Sequence, residues 1–139
     1  TLLAHDCRSA LESVGLDASR FEIRDGSGLS PGNRVSAADL ARFLQAMSRH
    51  PHGAAWRSTL AVSGEREGTL RHRFREPALA GRIAAKTGSI KAVSTLAGYA
   101  TANSGKTYAF AILLNGRGVW DSVGQAYQDR LVRTLILNG

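Results

Sequence analysis

Lys86-Thr87-Gly88-Ser89 is the short stretch of this sequence whose residue types suit chemistry on an anionic substrate. A lysine at a strand end can hold its ammonium over a cleft and attract a carboxylate. The adjacent threonine hydroxyl can hydrogen-bond the same carboxylate. Gly88 leaves the strand edge bare, so a substrate backbone could lie along it. The backbone N–H of Ser89 could then face a developing oxyanion. Taken alone, the same residues also make a plain surface lysine followed by a Thr-Gly turn.

Other chemistries are thinly represented. His5, His50, His52 and His72 are the only histidines, and His50-Pro51-His52 has no carboxylates in register, so it reads as a loop end rather than a metal site. Gly26-Ser27-Gly28 lacks the following glycine and the Lys-Ser/Thr pair of nucleotide-binding loops. The single Cys7 excludes an intramolecular disulfide and a cysteine zinc cluster, and its place on an apolar helical stripe reads as a structural thiol. No metal and no cofactor are expected.

The elements that would position the Lys-Thr-Gly stretch follow from periodicity. Leu3, Cys7, Ala10, Leu11 and Val14 fall on one helical face, with Gly15 as a C-terminal cap. Phe21 to Arg24 reads as a short strand, and Asp25 to Asn33 as a loop. Ser36 and Asp39 form a capping pair ahead of a helix whose buried stripe is Leu40, Phe43, Leu44 and Met47. His50-Pro51-His52-Gly53 ends that helix, and a short one is expected around Trp56 to Leu60 before Gly64 and Gly68 break the chain. Ile83 to Thr87 is then a short strand. Val93 to Thr101 and Lys106 to Leu114 form a hairpin through the turn Ala102-Asn103-Ser104-Gly105. Both faces of the second hairpin strand are apolar, which predicts a central strand covered on both sides. A last helix runs from about Val119 to Leu137, with Val119, Val123, Ala126, Tyr127, Leu131 and Leu135 at helical spacing. The expected architecture is α/β (α+β): an antiparallel sheet covered by helices, with the first and last helices packed on it.

Length and charge bound the function. A chain of 139 residues is one domain with one real core. The longest apolar stretch, Tyr108 to Leu114, is strand-sized, so no transmembrane segment is expected. The net charge is +7, nearly all of it from arginine, since the lysines are only Lys86, Lys91 and Lys106. That balance keeps open a non-catalytic basic module for nucleic acid or an anionic wall polymer. The charges are scattered, however, and the densest patch, Arg71-His72-Arg73-Phe74-Arg75, is flanked by glutamates and reads as a solvated face. The opening from Thr1 lacks a basic region followed by an apolar one, so no signal peptide is expected in this stretch.

Three segments together carry a family resemblance: Asp25-Gly26-Ser27-Gly28-Leu29-Ser30, Lys86-Thr87-Gly88-Ser89 some sixty residues later, and Leu96-Ala97-Gly98-Tyr99 before the hairpin. The chain resembles the C-terminal part of the class C low-molecular-mass penicillin-binding proteins, the periplasmic D-alanyl-D-alanine carboxypeptidase/endopeptidases. The resemblance implies a serine β-lactamase/transpeptidase-like domain, of which residues 1–139 would be a single C-terminal segment. It implies peptidoglycan stem peptides and β-lactams as ligands, with no nucleic acid. By the same resemblance Lys86, Thr87 and Gly88 are the third family motif, and Ser89 is the position whose N–H completes the oxyanion hole. Ser27, Gly28 and Leu29 would line the pocket for the stem side chain.

The departures are equally specific. No Ser-x-x-Lys and no Ser-x-Asn occurs in the chain, and in the family both lie upstream. The missing N-terminal part of the same protein is therefore an expected partner, and this chain alone is expected to be inactive toward penicillin. Pro31 stands where family members often carry an arginine.

Overall fold

The computed structural model describes residues 2–119 and 121–139, with the backbone alone at residues 3 and 4. Helix α1 (Leu2–Ser13) leads through a 3-10 turn (Ala18–Arg20) and the 25–33 loop to α2 (Ala37–Arg49) and the short α3 (Gly53–Ser58). Strands β1 (Ala61–Val62), β2 (Ile83–Ile90), β3 (Val93–Thr101) and β4 (Thr107–Asn115) follow, and α4 (Asp121–Asn138) closes the chain. The four strands form one antiparallel sheet in sequence order. The α/β (α+β) expectation of an antiparallel sheet under helices therefore holds.

The sheet has an apolar layer on each face. On one side Ile83, Ala85, Leu96 and Phe110 pack with Val132 and Ile136 of α4 and with Leu70 and Leu79. On the other, Ala84 and Tyr99 pack with Leu44 of α2 and with Leu60, and the Tyr99 hydroxyl donates to the Leu44 carbonyl at 2.6 Å. Ser36 caps α2 as its sequence indicates, its hydroxyl oxygen accepting from the Asp39 N–H at 3.0 Å. Asp39 is buried and accepts from Arg20 and Arg42 at 2.8 Å each. Arg20 foremost, then the Ser36 hydroxyl, holds its carboxyl down at about 2. Gly98 lets β2 and β3 close: a Cβ there would lie 2.1 Å from the Ala84 carbonyl oxygen.

Several expectations are corrected. Phe21 to Arg24 is not a strand; the segment makes a single antiparallel bridge, Glu22 with Arg34. Strand β1 was invisible because two residues carry no period. Among the described residues strand β4 ends the sheet rather than occupying its centre. Its two-sided apolar pattern has a different origin: Phe110 and Ile112 face the α4 layer while Ala109 faces the α2 layer. Covered faces do not require two paired edges. Helix α1 packs on the 3-10 turn, and α2 takes the place on the sheet expected for the first helix. The side chain of Leu3 lies outside the described residues.

The register of α4 is also shifted. Its buried positions are Gly124, Gln128, Val132 and Ile136, one residue along from the expected stripe, and Val123, Tyr127 and Leu131 are exposed. Helical spacing fixes a family of parallel stripes, and the sheet selects the one that carries a glycine and a glutamine.

Candidate active site

The site is built on an asymmetry of β2. Strand β1 pairs it only at Ala84 and Ala85, whereas β3 pairs it along its whole length. From Lys86 to Ile90, therefore, one edge of β2 has no strand partner among the described residues. The Arg82 carbonyl accepts from Thr101 N–H toward β3 at 2.9 Å, and the Ile83 carbonyl accepts from Ser63 N–H on the opposite side at 2.9 Å. Antiparallel alternation then turns the backbone N–H and C=O of Thr87 and Ser89 toward the open edge. Lys86, Gly88 and Ile90 are spent on β3.

Side chains alternate the other way. Lys86 and Gly88 share the face of Ala84, under the α2 layer, while Thr87 and Ser89 share the face of Ala85, under α4. Lys86 crosses back to the edge, its ammonium donating to the Thr87 carbonyl at 2.6 Å. Gly88 has a reason internal to the sheet: a Cβ there would sit 2.4 Å from Thr95 Oγ1 on the opposed strand. The Ser89 hydroxyl donates to the Asp121 carboxylate at the start of α4. A cavity of about 350 Å³ lies beside this end of the strand, lined by Thr87, Gly88 and Ser89 together with Thr95, Asp121 and Gln128.

Ser27, Gly28 and Leu29 lie in a loop organised by one carboxylate. Asp25 accepts from the Ser27 hydroxyl at 2.7 Å, from Asn33 Nδ2 at 2.6 Å, and from the N–H groups of Ser30 at 3.0 Å and Gly28 at 3.2 Å. These bonds, the Ser27 hydroxyl first, hold its carboxyl down at about 2. Gly28 takes a φ of +76°, which an L side chain would resist. Leu29 stands out from the loop with 70% of its surface exposed. The cavity at Thr87–Ser89 contains no residue of this loop, so the two candidate groups are separate features of this chain.

Gly28-Leu29-Ser30-Pro31-Gly32 has the Gly-x-Ser-x-Gly spacing of a nucleophile elbow, a motif not expected in this chain. The structure does not use it so. Ser30 Oγ accepts from Gly32 N–H at 3.2 Å within a turn that joins no strand to a helix. Pro31 also lacks the N–H that an elbow places after its nucleophile.

The basic patch is corrected in part. Arg71, His72 and Arg75 are exposed, but Arg73 and Phe74 are buried. Arg73 donates from Nε to Asp129 at 2.9 Å and from its terminal nitrogen to Gln128 Oε1 at 3.0 Å. Gln128, fully buried, donates to Ser94 Oγ at 3.0 Å. Ser94 stands opposite Ser89. Neither Gln128, Ser94 nor Asp121 belongs to a motif; the only signal in the sequence was a polar residue at a helical position in register with apolar ones.

A family model described as the D-Ala-D-Ala carboxypeptidase 3 (S13) family matches residues 4–136. The D-alanyl-D-alanine carboxypeptidase of Actinomadura sp. (strain R39) is 39% identical over 111 residues, which cover 77% of this chain and 20% of that protein. D-alanyl-D-alanine carboxypeptidase DacB of Haemophilus influenzae is 30% identical over 128 residues, or 91% of this chain and 26% of that one. Penicillin binding protein 4 (dacB) of the same organism, solved in complex with a β-lactam, superposes with a TM-score of 0.81 at 28% identity, over 93% of this chain and 31% of its own. This chain thus spans about a fifth to a quarter of the length of the curated relatives it matches. The fold expected from the resemblance is the fold found, and a basic binding module is not favoured.

Proposed function

The chain belongs to the D-Ala-D-Ala carboxypeptidase 3 (S13) family, and on that premise we propose that it is the Lys-Thr-Gly portion of a serine-type, penicillin-binding D-Ala-D-Ala carboxypeptidase or endopeptidase. In this reading residues 1–139 are one segment, the C-terminal part of a transpeptidase-like domain, and the nucleophilic serine comes from the rest of the protein. The location that fits is the bacterial periplasm, where stem peptides are. No helix described here is long and apolar enough to cross a membrane.

The observation that carries the reading is the open edge of β2 at Lys86–Ile90. A substrate ending in D-alanine is an extended strand with a carboxylate at its end. It can add to that edge through the outward N–H and C=O groups of Thr87 and Ser89. Lys86, whose ammonium already lies along the edge, would draw in the terminal carboxylate, and Thr87 would help to bind it. When the serine attacks the carbonyl between the two D-alanines, negative charge grows on the carbonyl oxygen. The Ser89 N–H would donate a hydrogen bond to that oxygen as one arm of the oxyanion hole. The acyl bond forms as the terminal D-alanine leaves, and water later hydrolyses it. A β-lactam presents the same carboxylate and a strained carbonyl. Ser27, Gly28 and Leu29 would bound the pocket for the stem side chain, with exposed Leu29 as the contact.

The test is Lys86→Ala in the full-length protein. A charged hydrogen bond contributes about 1.5 to 3 kcal/mol. The variant is therefore expected to lose about ten- to a hundredfold in penicillin acylation and in kcat/KM for a D-Ala-D-Ala peptide, with an unchanged melting temperature. Wild-type acylation by this variant would overturn the assignment of the edge. The 139-residue chain alone is expected to give no labelled band with fluorescent penicillin, because none of its serines is followed by lysine at Ser-x-x-Lys spacing.

A further inference from the structure

Among the described residues, β2 beyond Ala85 has a neighbouring strand on one side only. A strand tip paired on one edge and next to a turn is free to twist, yet an oxyanion donor must be placed closely, since misplacement by 1 Å can cost about a hundredfold in rate. Something outside the sheet has to hold the tip.

Helix α4 meets the tip at three points. Asp121 accepts from the Ser89 hydroxyl. Gln128, two turns on and on the same face, donates to Ser94 Oγ at 3.0 Å. Ser89 and Ser94 are directly opposed across β2 and β3, and both project toward α4. Between the two helix contacts lies Gly124, where a Cβ would fall 2.5 Å from both Cβ and Oγ of Ser94. The helix can approach the serine pair this closely only because that side chain is absent. Behind Gln128 the network is anchored by Arg73, which donates to Gln128 Oε1 and Asp129.

We infer that α4 fixes the oxyanion-facing amide of β2, with Asp121 and Gln128 as positioning residues acting through Ser89 and Ser94. The inference rests on the proposed use of the Ser89 N–H in catalysis. It assigns the Ser89 hydroxyl a different task from its amide: the hydroxyl is held by the helix, and the amide is thereby presented to the substrate. Gln128 and Ser94 are buried and form the fixed part of the grip, whereas Ser89 and Asp121 are at the surface, where their bond adds little to folding.

The surface pair is therefore the part to test, in the full-length protein, by stopped-flow acylation with a fluorescent penicillin. Ser89→Ala, Asp121→Ala and the double variant are each expected to slow the acylation step by about tenfold, with non-covalent penicillin affinity within about twofold of wild type. The two losses should not multiply, because one bond is being removed twice. Asp121→Asn keeps an acceptor and should acylate near the wild-type rate. Single variants at the wild-type rate, losses that multiply in the double, or a tenfold loss in Asp121→Asn would each overturn the positioning role. Lys86→Ala measured alongside separates the two claims. If it loses acylation while Asp121→Ala does not, the edge reading stands and the inference falls; if it too is unaffected, the edge reading itself falls.

Discussion

The 25–33 loop and the tip of β2 are the two regions proposed to meet substrate, and they are held in different ways. Asp25 organises the loop through partners no more than eight residues away, Ser27, Gly28, Ser30 and Asn33. The β2 tip has near neighbours too, Ser94 and Thr95 across the hairpin, but it is also tied to a residue distant in sequence, Asp121, 32 residues from Ser89. The loop carries its own shape wherever it is placed. The tip acquires its shape only when the sheet and α4 have assembled. Perturbing the loop should thus change a local conformation, and perturbing the buried contacts of sheet and helix behind the tip should change global stability.

The largest expected effect lies on the tertiary side. Gly98→Ala would drive a Cβ to 2.1 Å from the Ala84 carbonyl oxygen and 2.5 Å from Ala85 Cα, backbone atoms that cannot step aside. Separating β2 from β3 should destabilise the protein by about 3 kcal/mol or more, read as a loss of the cooperative thermal transition.

Next comes Gln128→Leu. It has a similar volume but leaves the Ser94 hydroxyl and one Arg73 nitrogen without their buried partner. A cost of about 2 to 3 kcal/mol is expected by urea unfolding. Loss below about 0.5 kcal/mol would show that the network is not needed to seat α4.

Acid should probe the local side. Asp25 and Asp39 both titrate at about 2 in the folded protein, below the ordinary carboxylate value of about 3.9 in the unfolded chain. Their contributions are complete above the unfolded value and fade as pH falls from about 4 to about 2, so the melting temperature should drop over that window. Asp25→Asn should make the drop shallower without removing it, since Asp39 remains. A steeper drop would contradict the direction of the shift. Proteolysis at 25–33 in this variant should increase while the sheet stays intact, as a locally held loop requires.

The smallest effect is a gain. Ala92 turns the chain from β2 to β3 at a φ of 61°. Ala92→Gly removes a left-handed penalty of about 1 kcal/mol, partly offset by the freer unfolded chain. A rise in melting temperature of a few degrees is expected, and a fall would show that the turn is not strained.

What the sequence determined by itself is what short range controls. The Ser36 cap, the 25–33 loop, the hairpin turn and the first part of β2, Ile83 to Thr87, all follow from residues close to one another. Asp25–Ser30, Lys86–Ser89 and Leu96–Tyr99 together carried the family resemblance. Other features lay beyond it. Two residues of β1 have no period to reveal them, and yet β1, by stopping at Val62, leaves the edge of β2 open. Two apolar faces on β4 could not tell a covered edge strand from a central one. The apolar spacing in α4 fitted a stripe through Val123, Tyr127 and Leu131 as well as one through Val132 and Ile136. Only docking selected the second, because Gly124 alone allows the helix to reach Ser94 and Gln128 alone can answer both Ser94 and Arg73. Hydrogen bonds local in the chain can be read from spacing; burial of a polar group depends on which surface arrives to meet it, and that is settled only when the helix closes on the sheet.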